Sequence, residues 1–511
     1  MIVTDRRRTL GAALTALAAA VLLVPIARCS RRPPVSDSVR AGIRDLLGSG
    51  TPAAAAGSRS PQSWLTPFFY ADRDFHPAWV GEDGLSPQAR SLVEALSDAA
   101  SDGLDPCDYD RDEARALVFQ AGRSGRGYGD LTPAFLAGLD VLLTDVFFRY
   151  ASHLAAGKVD PETGLVDRHG ARAEAGLVGA LEDALAGIDI RSVLQALRPQ
   201  HEAYLSLREA LKETRERLSR LPVPEASPGA KPGPEGRRAS VILRERQSLE
   251  ERLETLSVNL ERWRWLPRFL GRRYILVDTA SYRLQFVENG AETMNMKVVV
   301  GNLSWPTPFL HADITGFFLN PVWNCTGNIF YRETINNIRA DKNYLPSNKM
   351  VILQGWGSAE HELDPATLDW AKVSPDTYPG LHLRQLPGPL NILGRLKFIM
   401  PNPADIYLHD TPYQEDFKQI ERIFSHGCIR AERPFDLAAA VARDPRWTTE
   451  TMKKALEDTE ERKVELAEPV PIYVNYFTIR PDAKGVLELR RDVYGRDPRL
   501  AAVLAERPPA R

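Results

Sequence analysis

The spacing of apolar positions changes character along this chain. It opens with an unbroken apolar run over residues 10–27. Arg6, Arg7 and Arg8 precede this run, and Arg28, Arg31 and Arg32 follow it. From Pro61 to about Lys212 the spacing is helical. Ser86-Pro87 predicts a helix start, with Ser86 placed to cap and Pro87 at the first turn. Leu92, Val93 and Leu96 then recur on one face. Thr132-Pro133 opens a second stripe of Leu136, Leu139, Leu142, Leu143, Val146 and Phe147, predicted to continue to Leu154. Two charged helical stretches, 204–218 and 239–261, flank a linker holding Pro222, Pro224, Pro228, Pro232 and Pro234. Proline at that density excludes a helix interior and predicts a helical hairpin. From Tyr274 the period drops to two. Strands are predicted over 274–277, 282–288, 294–300 and 311–320, with a turn at Asn289-Gly290. Residues 325–395 interrupt the strands with helical and Pro/Gly-rich pieces, as an inserted lid or binding loop does.

This pattern predicts an α+β multidomain protein. Residues 1–37 are a signal or membrane anchor, and residues 38–60, rich in Ala, Gly, Ser and Pro, are a tether. Residues 61–212 form a helical domain and 213–262 the charged helices with their linker. Residues 263–480 form a mainly β domain carrying the 325–395 insertion, and 481–511 are a C-terminal tail. The 511 residues are 43% hydrophobic and 26% charged, with a net charge of −2. That composition is globular and lacks the concentrated basic face of a nucleic-acid binder. The basic-apolar-basic N-terminus reads as an export signal or an uncleaved inner-membrane anchor, which places the remainder in the periplasm. Arg7-Arg8 also resembles a twin-arginine signal. Four cysteines in this length make no disulfide scaffold. Beyond Cys29 they are Cys107, Cys325 and Cys428, an odd number that points to a reactive thiol and leaves Cys107–Cys325 pairing open.

The chemistry concentrates in Ser425-His426-Gly427-Cys428-Ile429-Arg430 and, upstream, Tyr407-Leu408-His409-Asp410. A cysteine near a histidine can act as a thiolate nucleophile with a general base. Gly427 permits a positive φ or close backbone approach. Amides around Gly427 and Cys428 could then form an oxyanion hole. His409 could take the thiol proton, oriented by the Asp410 carbonyl or carboxylate. On an extended strand Arg430 shares a face with Cys428, where it could bind a carboxylate or depress the thiol pKa. A buried structural cysteine is the plain alternative. A zinc site of His409, His426 and Cys428 has spacing unlike common zinc patterns.

These residues resemble the L,D-transpeptidases of the bacterial cell wall, whose pattern is a histidine followed by Ser/Thr-His-Gly-Cys-x-Arg/Asn. Residues 259–267, Pro306-Thr307-Pro308, Asn320-Pro321-Val322-Trp323-Asn324 and Pro387-Gly388-Pro389 resemble the large periplasmic, YcbB-like subgroup. Phe69-Tyr70, Pro77-Ala78-Trp79-Val80, Gly103-Leu104-Asp105-Pro106 and the segment 145–150 resemble its helical scaffold domain.

The resemblance implies a helical scaffold domain, then a mainly β catalytic domain with a capping subdomain at 325–395. It implies catalysis by Cys428, His409, His426 and Gly427, with His409 as base and His426 in support. Arg430, Ser425, Tyr407, Trp323 and Asp410 are implied substrate contacts. The implied reaction joins peptidoglycan tetrapeptide stems as 3→3 cross-links through a thioester, without metal or cofactor, and Cys428 becomes a carbapenem target. Cell-wall synthases are candidate partners. Water or a wall protein as acceptor, and a catalytically silent wall-binding scaffold, are the competing readings. The subgroup's glycine-rich peptidoglycan-binding repeat has no counterpart at 213–255. Cys325, where an apolar residue is usual, introduces an oxidisable thiol near the site.

Overall fold

The computed structural model describes residues 35–48, 63–124, 128–161, 163–164, 176–224, 234–482 and 484–506. The apolar run at 10–27 lies outside them. No helix among the described residues is long and apolar enough to cross a membrane.

The architecture is α+β: helices first, then a mainly β domain. The helical region is built around Pro133–Ala156, buried along most of its length. It is apolar nearly all round, which suits a central helix. Thr132 caps it by accepting the Phe135 amide at 3.2 Å. Ser86 makes no such cap, and its buried hydroxyl has no partner. Asp140 ties the central helix to the preceding loop. Its carboxylate accepts the Ala78, Trp79 and Val80 amides and the Tyr70 hydroxyl.

The expected tether needs correction. Its first part belongs to the helix Val35–Gly48, with Val39 and Ile43 fully buried. These two residues are four apart and so share a face. A Cβ on Gly42 would meet the Ala137 Cβ at 2.9 Å. Small residues here permit close helix packing rather than flexibility.

Glu202–Arg220 and Pro234–Arg264 form the helical hairpin. Its C-terminal end joins the scaffold through buried charges. Glu261 and Arg264, both fully buried, pair at 2.6 Å. Arg264 also donates to the Asp102 carbonyl, and Glu261 accepts the Val159 amide.

Among the described residues, thirteen strands build the two larger sheets of the mainly β domain, and Ile479–Pro481 pairs with Leu487–Leu489 in a separate two-stranded sheet. The thirteen include β1 (Arg273–Asp278), β2 (Arg283–Glu288), β3 (Ala291–Gly301), β4 (Leu310–Leu319), β5 (Trp323–Cys325), β6 (Met350–Gln354) and β7 (His361–Leu363). The others are β8 (Leu381–Gln385), β9 (Leu396–Ile399), β10 (Leu408–His409), β11 (Ile423–Ser425), β12 (Ile429–Ala431) and β13 (Arg462–Asn475). Nine form one sheet in the order β11-β3-β12-β10-β9-β4-β13-β1-β2, and β2 also pairs with β3, so the sheet returns on itself. Its interior is filled by alternate residues such as Ile275, Val277, Leu284, Phe286, Phe317 and Ile472. The remaining strands, β5-β8-β6-β7, make a separate small sheet in the insertion, with its own core around Phe330, Ile352 and Leu383.

The C-terminal segment is no loose tail. The Tyr494 hydroxyl donates to the Gly301 carbonyl at 2.6 Å, and Arg496 donates to the Thr307 carbonyl at 2.8 Å. Asp497 pairs with Arg262 at 2.6 Å. Lys158 of the scaffold reaches the Leu504 and Glu506 carbonyls. This segment straps the β domain to the scaffold.

Candidate active site

Three adjacent strands build the site. β12 pairs in parallel with β10, placing Arg430 beside His409. β9 pairs antiparallel with β10, placing Lys397 on the other side of His409. Side chains of paired residues share a face, and residues two apart do so too. Tyr407, His409, Cys428, Arg430 and Lys397 therefore occupy one face of the sheet.

The turn before β12 is shaped by Ser425. Its hydroxyl donates to the Cys428 carbonyl at 2.5 Å and accepts the Gly427 amide at 3.2 Å. Gly427 has φ +102, and a Cβ there would lie 3.0 Å from Ile406 Cδ1. Its carbonyl accepts from Thr307 Oγ1 at 2.7 Å. Ser425 and Gly427 are thus buried supports of the turn. The Gly427 amide is taken up by its bond to the Ser425 hydroxyl, which leaves the Cys428 amide as the candidate oxyanion donor. Among the described hydrogen bonds, the Cys428 amide keeps no intramolecular acceptor.

The sulfur of Cys428 accepts the Tyr407 amide at 3.4 Å. Burial pushes its pKa up, while the Tyr407 amide, Lys397 and Arg430 pull it down and Asp405 adds to the rise. Burial wins, so the resting group is a thiol. Arg430 does lower the thiol pKa, as expected, but burial outweighs it.

His409 is buried, and its Nδ1 lies 2.5 Å from the Asp410 carbonyl oxygen. That contact fixes the tautomer with Nδ1–H donating. Burial, then Arg430, then Lys397 push its pKa down to about 3, against the Asp410 and Leu393 carbonyls. The imidazole is neutral and able to accept a proton. No hydrogen bond joins it to Cys428 in this structure; catalytic contacts of this kind often close only with substrate bound.

The Asp410 carboxylate turns away and accepts the Arg395 amide at 2.8 Å. A Cβ on Gly394 would collide with it. In this structure the carboxylate supports that turn. Arg430 pairs with Asp416 at 2.9 Å and sits 5.5 Å over the Tyr413 ring. His426 reaches out to the insertion, where its Nε2 lies 2.8 Å from Glu333 Oε2. Trp323 lies at the root of the small sheet, paired with Gln385, and packs on the insertion's apolar core. His409, His426 and Cys428 make no common ligand set among the described residues. Cys325 is buried and free, and burial pushes its thiol up to about 12, which makes it inert rather than oxidisable. Cys107 is free as well, so the two do not pair.

Four participants escaped the sequence reading. Lys397, Asp416 and Glu333 carry no motif. Thr307 stands in a quoted motif, but nothing there told that its hydroxyl holds Gly427. Only the alternation Leu396-Lys397-Phe398 hinted that a lysine shares the face of His409.

Comparison with known proteins follows this division. Residues 66–211 match the family described as a scaffold domain, and residues 272–466 match the L,D-transpeptidase catalytic domain. A Haemophilus influenzae protein, named as a candidate L,D-transpeptidase, is 30% identical over 244 residues. The match covers 48% of this chain and 48% of that protein, so the chain spans about half the length of its curated relative. Among solved structures, an L,D-transpeptidase of Enterococcus faecium aligns at 12% identity and TM-score 0.20, covering 41% of this chain and 52% of that one. One from Mycobacterium smegmatis aligns at 12% identity and TM-score 0.19, covering 40% and 58%. The chain carries an L,D-transpeptidase catalytic domain behind a scaffold domain.

Proposed function

We propose that this chain is a periplasmic peptidoglycan L,D-transpeptidase of the large, YcbB-like kind, forming 3→3 cross-links through a thioester on Cys428. The observation that carries this is the shared face of Cys428 and His409, with the Tyr407 amide on the sulfur and the Asp410 carbonyl behind the imidazole.

The donor is a tetrapeptide stem. Cys428 Sγ attacks the carbonyl of the third stem residue while its proton passes to His409 Nε2. The oxygen of the tetrahedral intermediate is stabilised by the free Cys428 amide. His409 then returns the proton to the leaving nitrogen, the C–N bond breaks and D-alanine departs. An amine of a neighbouring stem attacks the thioester, His409 takes its proton, and the thiol is restored. Starting from a neutral pair costs no buried charge before substrate arrives. The 325–395 insertion caps the site, with His426–Glu333 linking cap and nucleophile turn. Anchoring by residues 10–27 would keep the domain at the inner membrane.

The test is to incubate the ectodomain with disaccharide-tetrapeptide and analyse products by mass spectrometry. Dimer with loss of D-alanine supports the reading. Tripeptide alone would transfer the assignment to an L,D-carboxypeptidase. No product, and no adduct with a carbapenem, would leave a silent scaffold.

A further inference from the structure

We propose that Lys397 is the receptor for the C-terminal carboxylate of the donor stem, and that it restricts the enzyme to removing one terminal residue. The proposal rests on the transpeptidase reading and deepens it.

Lys397 is the cross-strand neighbour of His409 and lies on the face that carries Cys428. Its ammonium sits 3.6 Å from the centre of the Tyr407 ring, whose own amide bonds the Cys428 sulfur. The lysine is partly buried, and no carboxylate lies within ion-pair distance of it among the described residues. Burial lowers its pKa, while Cys428, Glu461 and Asp405 act on it only through space.

The other cations around the turn are already occupied. Arg430 is held by Asp416, Arg395 by Asn320 and the Leu456 carbonyl, and Arg384 by Glu360. A desolvated ammonium without a counter-charge favours an incoming anion. The Tyr407 ring holds it meanwhile by cation–π attraction.

The substrate brings that anion to the right distance. In a tetrapeptide donor the terminal carboxylate belongs to the residue that leaves. One residue spans at most about 3.3–3.6 Å, so its charge must sit within a few ångströms of the attacked carbonyl. A cation on the Cys428 face, one strand beyond His409, is in reach of it. A stem one residue longer would place an amide there, leaving the ammonium unpaired.

The experiment compares acylation of the full chain by a tetrapeptide donor and by the same donor with its C-terminus amidated. Wild type should prefer the free acid by about ten- to a hundredfold in kcat/KM, the worth of one charge-assisted hydrogen bond. Lys397→Met should bring that ratio close to one, and Lys397→Arg should retain most of it. A Lys397→Met variant that loses activity equally on both donors would overturn the proposal, because a merely structural lysine does that. An unchanged ratio in Lys397→Met would overturn it too. Failure of wild type to acylate with either donor would overturn the transpeptidase reading and this inference with it.

Discussion

Two buried polar regions of this molecule treat charge in opposite ways. At the scaffold–hairpin junction several buried charges meet their opposites. Arg264 pairs with Glu261, Lys158 pairs with Asp108, and Arg198 and Arg208 both reach Asp102. Around Cys428 the compensation is incomplete, although Arg430 is paired with Asp416. His409 stands between two cations, Lys397 has no counter-ion among the described residues, and the thiol stays protonated. The junction is closed on itself; on the proposed function, the site is left for a substrate to complete.

Substitutions can break this contrast. The largest effect is expected at Cys428, where alanine should lower turnover by about 10⁴-fold or more without changing the melting temperature. His409→Ala should cost about 10²–10⁴-fold in kcat. At the junction the effect should fall on folding instead. Glu261→Gln leaves Arg264 buried and unpaired, at a cost of about 3–5 kcal/mol in a denaturation experiment. Lys397→Met should do the reverse, leaving stability equal or higher by about 1 kcal/mol while impairing turnover. A comparable loss of stability in both variants would erase the distinction between the two regions.

The pH response sharpens the contrast further. His409 binds its proton near pH 3 when folded and near 6.5 when unfolded. The unfolded chain takes that proton first. The stability tied to His409 is therefore present above pH 6.5 and lost as pH falls toward 3. For the same reason kcat/KM should stay level from about pH 5 to 8, without the acid limb near 6.5 of an ordinary histidine. The smallest effect is expected at Glu333→Gln, which weakens one half-exposed contact to His426 worth about 1 kcal/mol or less. It should change KM more than kcat.

Much of the fold was legible because periodicity reports burial directly. The central helix, the hairpin and the first four strands of the β domain all follow from it. Composition misled at 38–48, where alanine and glycine served close packing against Ala137. The strap at Tyr494–Asp497 was not legible, because its hydrogen bonds to Gly301 and Thr307 cross long sequence distances. Of the candidate site, Cys428 and His409 could be named from residue type and order. The direction of Asp410, the tie of Ser425 to its own turn and the neutral state of the pair depend on burial and register. Lys397 required knowing which strand lies beside β10.

The most direct test of the account is intact mass and peptide mapping of the ectodomain quenched in acid during reaction with a tetrapeptide donor. The account predicts an added tripeptide-sized mass as a thioester on Cys428, released by hydroxylamine and absent in Cys428→Ala. Cross-linked product formed at full rate by Cys428→Ala, or an adduct on any other residue, would contradict it.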